Sequence, residues 1–239
     1  AIILRPSIIT PIWKEPMPGW FDNINGPMGA MIAAGKGVLR TMYGNKETHV
    51  DVISVDSVAD IVLVFSAYTM ITRFSNRVYN ICTKNEIGMT WQRMYETGKA
   101  VSRNKLPFDI ILWAPGGNMR NSKIAHYFML VFTQLIPALL IDALLPLFGY
   151  KPFLWRIQMR IVSGLEIMDY YTSQEWIFDN HWVVKIRQWL NAKEMNQYTV
   201  AYNGVNIEEY ILNGILCTRR YILKEPDENI PTAKRRMKM

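Results

Sequence analysis

Tyr95-Glu96-Thr97-Gly98-Lys99 sets an ammonium one helical turn from a phenol, a spacing that favours the phenolate and positions a proton donor. Gly98 inside that turn weakens it as a rigid helix. With twelve tyrosines in 239 residues, a chance pair of this kind is unsurprising, so the sequence reads it as an ordinary surface pair. Gly35-Lys36-Gly37 looks like half a phosphate loop. Its spacing from Gly29 is one residue too long and no Ser or Thr follows the lysine, so a tight backbone turn is the better reading. No Gly-x-Gly-x-x-Gly run occurs. Cys82 and Cys217 form no framework, and His49, His126 and His181 stand alone, so no metal site is expected. No nucleophile elbow or carboxylate pair stands out, and no residue is assigned a catalytic role. Arg5, Lys14 and Glu15 are charges beside aromatic residues near a strand end, where α/β sheets bind ligands. Solvated loop charges are the alternative and the more common case.

These residues sit in a chain of globular composition, 50% apolar and 20% charged. The 27 basic residues exceed the 20 acidic ones, for a net charge of +7. That excess suits an anionic partner such as a nucleotide, coenzyme A or a lipid surface. Nucleic acid is not expected, because the charges are scattered; the one dense cluster, Lys234 to Lys238, reads as a solvated tail. The absence of any Asn-x-Ser/Thr acceptor points to an intracellular, reducing setting.

The elements that must position such residues follow from hydrophobic pattern. Ala1–Thr10 is a continuous aliphatic run, as a parallel strand covered on both faces requires. Pro6 forces an exit from regular pairing, and the strand's sheet neighbours are expected to lie outside this chain. Pro11, Pro16, Pro18 and Gly19 make a stiff loop. Pro27 opens a helix to about Arg40. Asp51–Asp56 is a second strand, with Asp56 capping a helix over Ser57–Thr72; Arg77–Cys82 is a third, and Thr90 opens a helix toward Arg103. Strand–helix alternation says α/β with parallel pairing.

After the loop at Pro115–Asn118 the pattern turns to mainly helix. Tyr127–Gly149 carries one charge, Asp142, and two prolines, Pro137 and Pro146. It is long enough to cross a bilayer, although Asp142 at the bilayer centre would cost about 2.5–3.5 kcal/mol. A broken helix in the interface and a buried core helix remain open beside it. Leu154, Ile157, Ile161, Leu165 and Met168 recur at helical spacing with Arg156 and Arg160 opposite. Thr172 with Glu175, and Asn206 with Glu209, read as capping boxes. The second would open a last helix to about Lys224, its ends matched to the macrodipole by Glu208, Glu209, Arg219 and Arg220.

The stretches RPSIITPIWKEPMPGWFDNINGP, GKGVLR and DVISVDSVADIVL, then IPALLIDALLPLFGYKP and YYTSQEWIF, resemble the alcohol-forming fatty acyl-CoA reductases, especially the insect-type ones. The resemblance covers nearly the whole chain, and Lys14-Glu15-Pro16-x-Pro18-Gly19-Trp20 is its most specific part. It implies the C-terminal part of an extended short-chain dehydrogenase (Rossmann-like) domain over residues 1–122 and a helical sterile domain over 123–239. It further implies reduction of long-chain fatty acyl-CoA to fatty alcohol with NADPH. Pro6, Ser7 and Ile8 match a nicotinamide-lining position, and Lys14, Glu15, Trp20 and Lys36 match substrate-side motifs. The family's Gly-rich turn and catalytic Tyr-x-x-x-Lys helix would lie upstream, so the chain is expected to be a fragment, inactive alone. Membrane contact through 127–149, at the endoplasmic reticulum or peroxisome, completes the expectation. A non-catalytic lipid- or membrane-binding helical module is the alternative.

Overall fold

The computed structural model describes residues 2–73, 78–83, 86–202 and 204–238. Ala1 and Arg77, the first residues of two expected strands, lie outside the described residues. In chain order the elements are β1 (Ile3–Pro6), β2 (Ile8–Thr10), α1 (Gly26–Gly35), β3 (Thr41–Tyr43), β4 (Val52–Ser54) and α2 (Val55–Thr72). Then come β5 (Val78–Ile81), α3 (Trp91–Ala100), β6 (Asn118–Arg120), α4 (Lys123–Leu130), α5 (Ile136–Leu144) and α6 (Leu154–Thr172). Last are α7 (His181–Trp189), α8 (Ala192–Gln197), α9 (Ile207–Cys217) and α10 (Ile230–Lys238). They fall into two compact units, one of Ala1–Asp22, His49–Met89 and Trp176–Cys217, the other of Asn23–Thr48, Thr90–Glu175 and Thr218–Met239. Each unit takes segments from both sides of residue 122.

In the first unit the opening aliphatic run finds its partners within the chain, against expectation. β1 pairs parallel with β5, Ile3 opposite Val78 and Pro6 opposite Ile81, and β2 pairs parallel with β4, Ile8 opposite Val52 and Thr10 opposite Ser54. An aliphatic run says that a strand is covered, not which segment pairs with it. Pro6 has no N–H and ends β1; Ser7 N–H still reaches Ile81 O at 2.9 Å, and Ile8 N–H turns to Asp51 O at 3.3 Å. α2 starts at Val55 with Ser54 before it, so Asp56 lies inside the first turn rather than at the cap. Its buried face, Ser57, Ile61, Val64, Phe65 and Tyr68, follows helical period, and left-handed Arg73 closes the helix. Those side chains share one core with Ile53, Tyr79 and Ile81 and with Val183, Ile186, Val200 and Tyr202. Phe65 and Tyr79 rings lie 4.9 Å apart, and Trp182 meets Tyr79 edge-on at 5.2 Å. Residues 176–217 therefore complete the core of the first unit.

In the second unit β3 and β6 form a parallel pair, Thr41 opposite Asn118 and Tyr43 opposite Arg120. α1 stops at Gly35, short of Arg40, because the chain turns there through Gly37 at φ +74°. Thr172 is the last residue of α6, not a cap for a following helix; its hydroxyl donates to Tyr43 O at 2.9 Å and bolts α6 to β3. Asn191 with Glu194, in the first unit, makes both bonds of a capping box. The helix after Cys217 continues as a π turn over Thr218–Ile222. Arg219 there is fully buried, bridging Asp109 at 2.7 Å and Glu225 at 2.9 Å, and also donates to Pro107 O. Its place is a buried ion cluster rather than the helix dipole.

The apolar run over 123–148 is helical throughout. Pro137 cannot donate to the turn before it, and the ladder widens into a π turn at Val131–Leu135 immediately ahead. A 3-10 turn at Leu145–Phe148 around Pro146 ends at left-handed Gly149. Asp142 is buried, and its carboxylate accepts from the N–H groups of Phe153 (3.0 Å), Leu154 (3.0 Å) and Trp155 (2.7 Å). A residue in α5 thus caps the start of α6 and closes the helical hairpin. Burial opposes ionisation of this carboxyl, yet the three N–H donors hold its pKa below the ordinary carboxylate value. Its stabilising share is present above pH of about 4 and is lost as pH falls through the lowered native value. Asp142→Ala is expected to cost about 2–3 kcal/mol in urea unfolding, and Asp142→Asn to flatten the corresponding part of the acid limb; an unchanged midpoint for Asp142→Ala would contradict the cap.

Candidate functional site

The loop that follows β2, residues 11–20, leaves the carboxyl edge of its parallel pair, as does the N-terminus of α2 after β4. That edge is where open α/β sheets place ligands. The loop's ends are tied together: Gly19 N–H donates to Ile12 O at 2.7 Å and Ile12 N–H to Trp20 O at 3.1 Å. Asp56, in the first turn of α2, accepts from Trp13 N–H (3.1 Å) and Lys14 N–H (2.9 Å). A carboxylate there is favoured by the helix dipole, and it takes the place an external anion would otherwise fill. α9 grips the loop from another direction. Tyr210 Oη donates to Pro11 O at 2.6 Å and Cys217 Sγ to Pro18 O at 3.4 Å.

Gly19, at φ +83°, presses on α9 so closely that an added Cβ would lie 2.2 Å from the backbone carbon of Asn213. Only glycine meets both conditions. Main-chain packing thus explains the glycine of the Pro-x-Pro-Gly-Trp stretch, while Lys14, Glu15 and Trp20 lie at the surface. Trp13 stacks on Tyr202 at 5.2 Å and 16°, and the Lys14 ammonium rests 4.4 Å over the Trp13 ring. Tyr202 Oη in turn accepts from Ser54 N–H at 2.9 Å. Burial raises the Tyr202 hydroxyl to about 12, so it stays a neutral phenol that can both donate and accept.

Pro6, Ser7 and Ile8 lie where the strand changes partner. Ser7 Oγ donates to Asp51 Oδ1 at 3.1 Å, and the same oxygen accepts from Thr83 N–H at 2.9 Å and Thr83 Oγ1 at 3.0 Å. Asp51 therefore links the ends of two strands. The N–H groups of Ser7 and Ile8 are spent on the ladder, so exposed Pro6 and half-buried Ile8 offer apolar surface.

The site residues expected from sequence all belong to the first unit, except Lys36. Lys36 belongs to the second unit, where its ammonium pairs with Glu225 at 2.8 Å and donates to Ile110 O at 3.2 Å. Glu225 is the same carboxylate that holds buried Arg219. Tyr95 and Lys99 are not the surface pair that the sequence suggested. Tyr95 is buried, its hydroxyl donating to Gly116 O at 3.1 Å while Lys99 donates to Gly117 O at 3.1 Å, so the two clamp a glycine turn. Burial raises the Tyr95 phenol to about 12, with nearby Arg40 partly opposing. Asp51, Tyr202 and Tyr210 carry the positioning without having been singled out from the sequence, and Asp56, expected only as a helix cap, holds the loop as well. The closest signals were Asp56 directly after a strand and the Asn213-Gly214 break in an otherwise apolar helix.

Two family models, both described as male sterility protein, match the chain: an NAD-binding one over residues 1–62 and a second over residues 133–225. Human fatty acyl-CoA reductase 2 is 32% identical over 237 residues, covering 99% of this chain and 46% of that protein. Human fatty acyl-CoA reductase 1 is 30% identical over 237 residues, and the rat protein of the same name 31% over 238, each covering 98% of this chain and 46% of its own length. The chain spans about half the length of the curated relatives it matches. Gly19→Ala is expected to cost roughly 3 kcal/mol in stability, the sum of strained backbone and a contact that cannot relax. Glu15→Gln in the same exposed loop should stay within about 0.5 kcal/mol. Matching urea midpoints for Gly19→Ala and wild type would refute the close approach.

Proposed function

The chain belongs to the fatty acyl-CoA reductase family, and from that premise we propose that it forms the substrate-side and C-terminal part of an enzyme reducing long-chain fatty acyl-CoA to fatty alcohol with NADPH. The observation that carries this reading is 32% identity to human fatty acyl-CoA reductase 2 over 99% of the chain. It includes the loop whose main chain is fixed by Asp56 and Tyr210 while Lys14, Glu15 and Trp20 face outward. Two equivalents of a reduced nicotinamide cofactor, bound in turn, would each supply one hydride, the first replacing coenzyme A thiol at the thioester carbonyl and the second reducing the aldehyde, with two protons taken up. In this chain Pro6 and Ile8 would meet the ring through apolar contact, with Ser7 oriented by Asp51. Lys14 would face the anionic end of the coenzyme, beside Glu15 and Trp20, and Lys36 is retained as a substrate-side residue through its motif.

Residues 1–122 are proposed as the Rossmann-like reductase part and 123–239 as the sterile domain. The protein is proposed to be intracellular and to sit on a membrane, endoplasmic reticulum or peroxisome, where its substrate partitions. A second reading, a non-catalytic lipid- or membrane-binding helical module, is favoured by the exposed apolar side chains over 123–148. A Gly-rich cofactor turn is absent from these 239 residues, and Tyr95 and Lys99 do not match the family's catalytic position. The purified chain is therefore expected to bind palmitoyl-CoA, with Lys14→Glu weakening binding by about tenfold, but to oxidise no NADPH. The complete gene product expressed in yeast should accumulate fatty alcohols. Turnover by the chain alone would end the fragment reading, and a complete product that binds lipid yet makes no alcohol would favour the module.

A further inference from the structure

The polarity of the 123–148 run is inverted. Three polar side chains within it, His126, Gln134 and Asp142, are buried, while Phe128, Phe132, Leu139, Leu140, Leu144 and Leu147 are exposed. Exposure reaches 60% for Phe128 and 78% for Leu147. Gln134 is buried without a hydrogen-bond partner among the described residues, and a contiguous exposed apolar face of this kind marks an interaction surface.

We propose that this outer face docks in the plane of an anionic phospholipid bilayer, its apolar side chains entering the headgroup–acyl boundary without crossing the membrane. The proposal rests on the membrane contact put forward above and assigns its surface, orientation and lipid charge. The run qualifies as a span by length and composition, as α2 also does. It is nevertheless tied to its own unit along its inner face. His126 Nδ1 lies 3.1 Å from Thr41 Oγ1, and Asp142 takes three N–H groups from the start of α6. Crossing would break these bonds and carry an ionised carboxylate into hydrocarbon.

An in-plane helix keeps the bonds and buries only the face already apolar. The charge distribution identifies the occupant. Asp142, the one acid in the run, is turned inward, whereas Lys123, Lys151, Arg156 and Arg160 are exposed at its ends and on the following helix. Tyr127 and Tyr150 stand near the two lysines, as aromatic residues do at a membrane interface. Anionic headgroups complement those cations; a second copy, joined face to face, would set them against one another.

The test uses the 239-residue chain with vesicles of phosphatidylcholine alone or with a third phosphatidylserine. Co-sedimentation should be at least tenfold stronger with phosphatidylserine and fall with salt. Leu140→Glu and Leu144→Glu should each weaken it tenfold or more at unchanged circular dichroism. Leu63→Glu, on the exposed side of α2, should leave it unchanged. If the apolar variants misfold, Arg156→Glu with Arg160→Glu must abolish the phosphatidylserine preference. A fluorophore on Leu144→Cys should be quenched more by nitroxides near the headgroup than by nitroxides at the acyl terminus.

Binding to neither vesicle would refute the proposal together with the membrane reading. Binding unaffected by Leu140→Glu or Leu144→Glu would leave the membrane reading standing and remove this surface from it. Stronger quenching from the bilayer centre would replace docking by a span. A lipid-independent dimer dissociated by Leu140→Glu would replace the bilayer by a second copy.

Discussion

A backbone N–H withdrawn from water must find an acceptor, and at three places where regular pairing stops in this chain an aspartate side chain provides it. Asp51 takes the N–H of Thr83 with the hydroxyls of Ser7 and Thr83. Asp56 takes the N–H groups of Trp13 and Lys14, and Asp142 takes those of Phe153, Leu154 and Trp155. Each carboxylate joins segments that neither sheet nor helix would join. The first two set the strand ends and the loop that carries Lys14, Glu15 and Trp20. The third makes a long apolar run into one arm of a hairpin.

Much of the element pattern was legible because local chemistry decides it. The aliphatic run at the start, the strand at Asp51 and the apolar helix after it are written in hydrophobic period, and the positions of β1, β2, β4 and α2 follow closely. What local pattern does not encode is partnership. The opening strand was expected to pair outside the chain because nothing in ten residues reveals that Val52–Ser54 and Val78–Ile81 will lie beside it. Thr172 and Glu175 satisfied the capping-box spacing, but tertiary context gave the Thr172 hydroxyl to Tyr43 O and kept it as a helix end. Arg219 looked like a dipole partner and is an interior charge, held by carboxylates six and more than a hundred residues away.

The candidate site divides in the same way. Resemblance pointed to the Lys14–Trp20 loop without saying what fixes it; the answer is a glycine packed against the backbone of α9 and main-chain donors claimed by Asp56. Tyr202 and Tyr210 could not have been picked out among twelve tyrosines, since their importance comes from partners 148 and 199 residues away in sequence. Lys36, chosen by motif, proves to share Glu225 with Arg219. A motif lysine is thereby also a structural one, and its substitution would disturb an ion cluster as well as any ligand.

The discontinuous make-up of the first unit has a consequence for biosynthesis. Its core needs Val183, Ile186, Val200 and Tyr202 beside Phe65 and Tyr79. At roughly 5–20 residues per second, the ribosome spends on the order of ten seconds on residues 90–175 before those side chains emerge. For that interval β1, β4 and β5 wait with their hydrophobic faces uncovered, so the nascent polypeptide is a natural client for holdase chaperones, and its yield should depend on how slowly those codons are read.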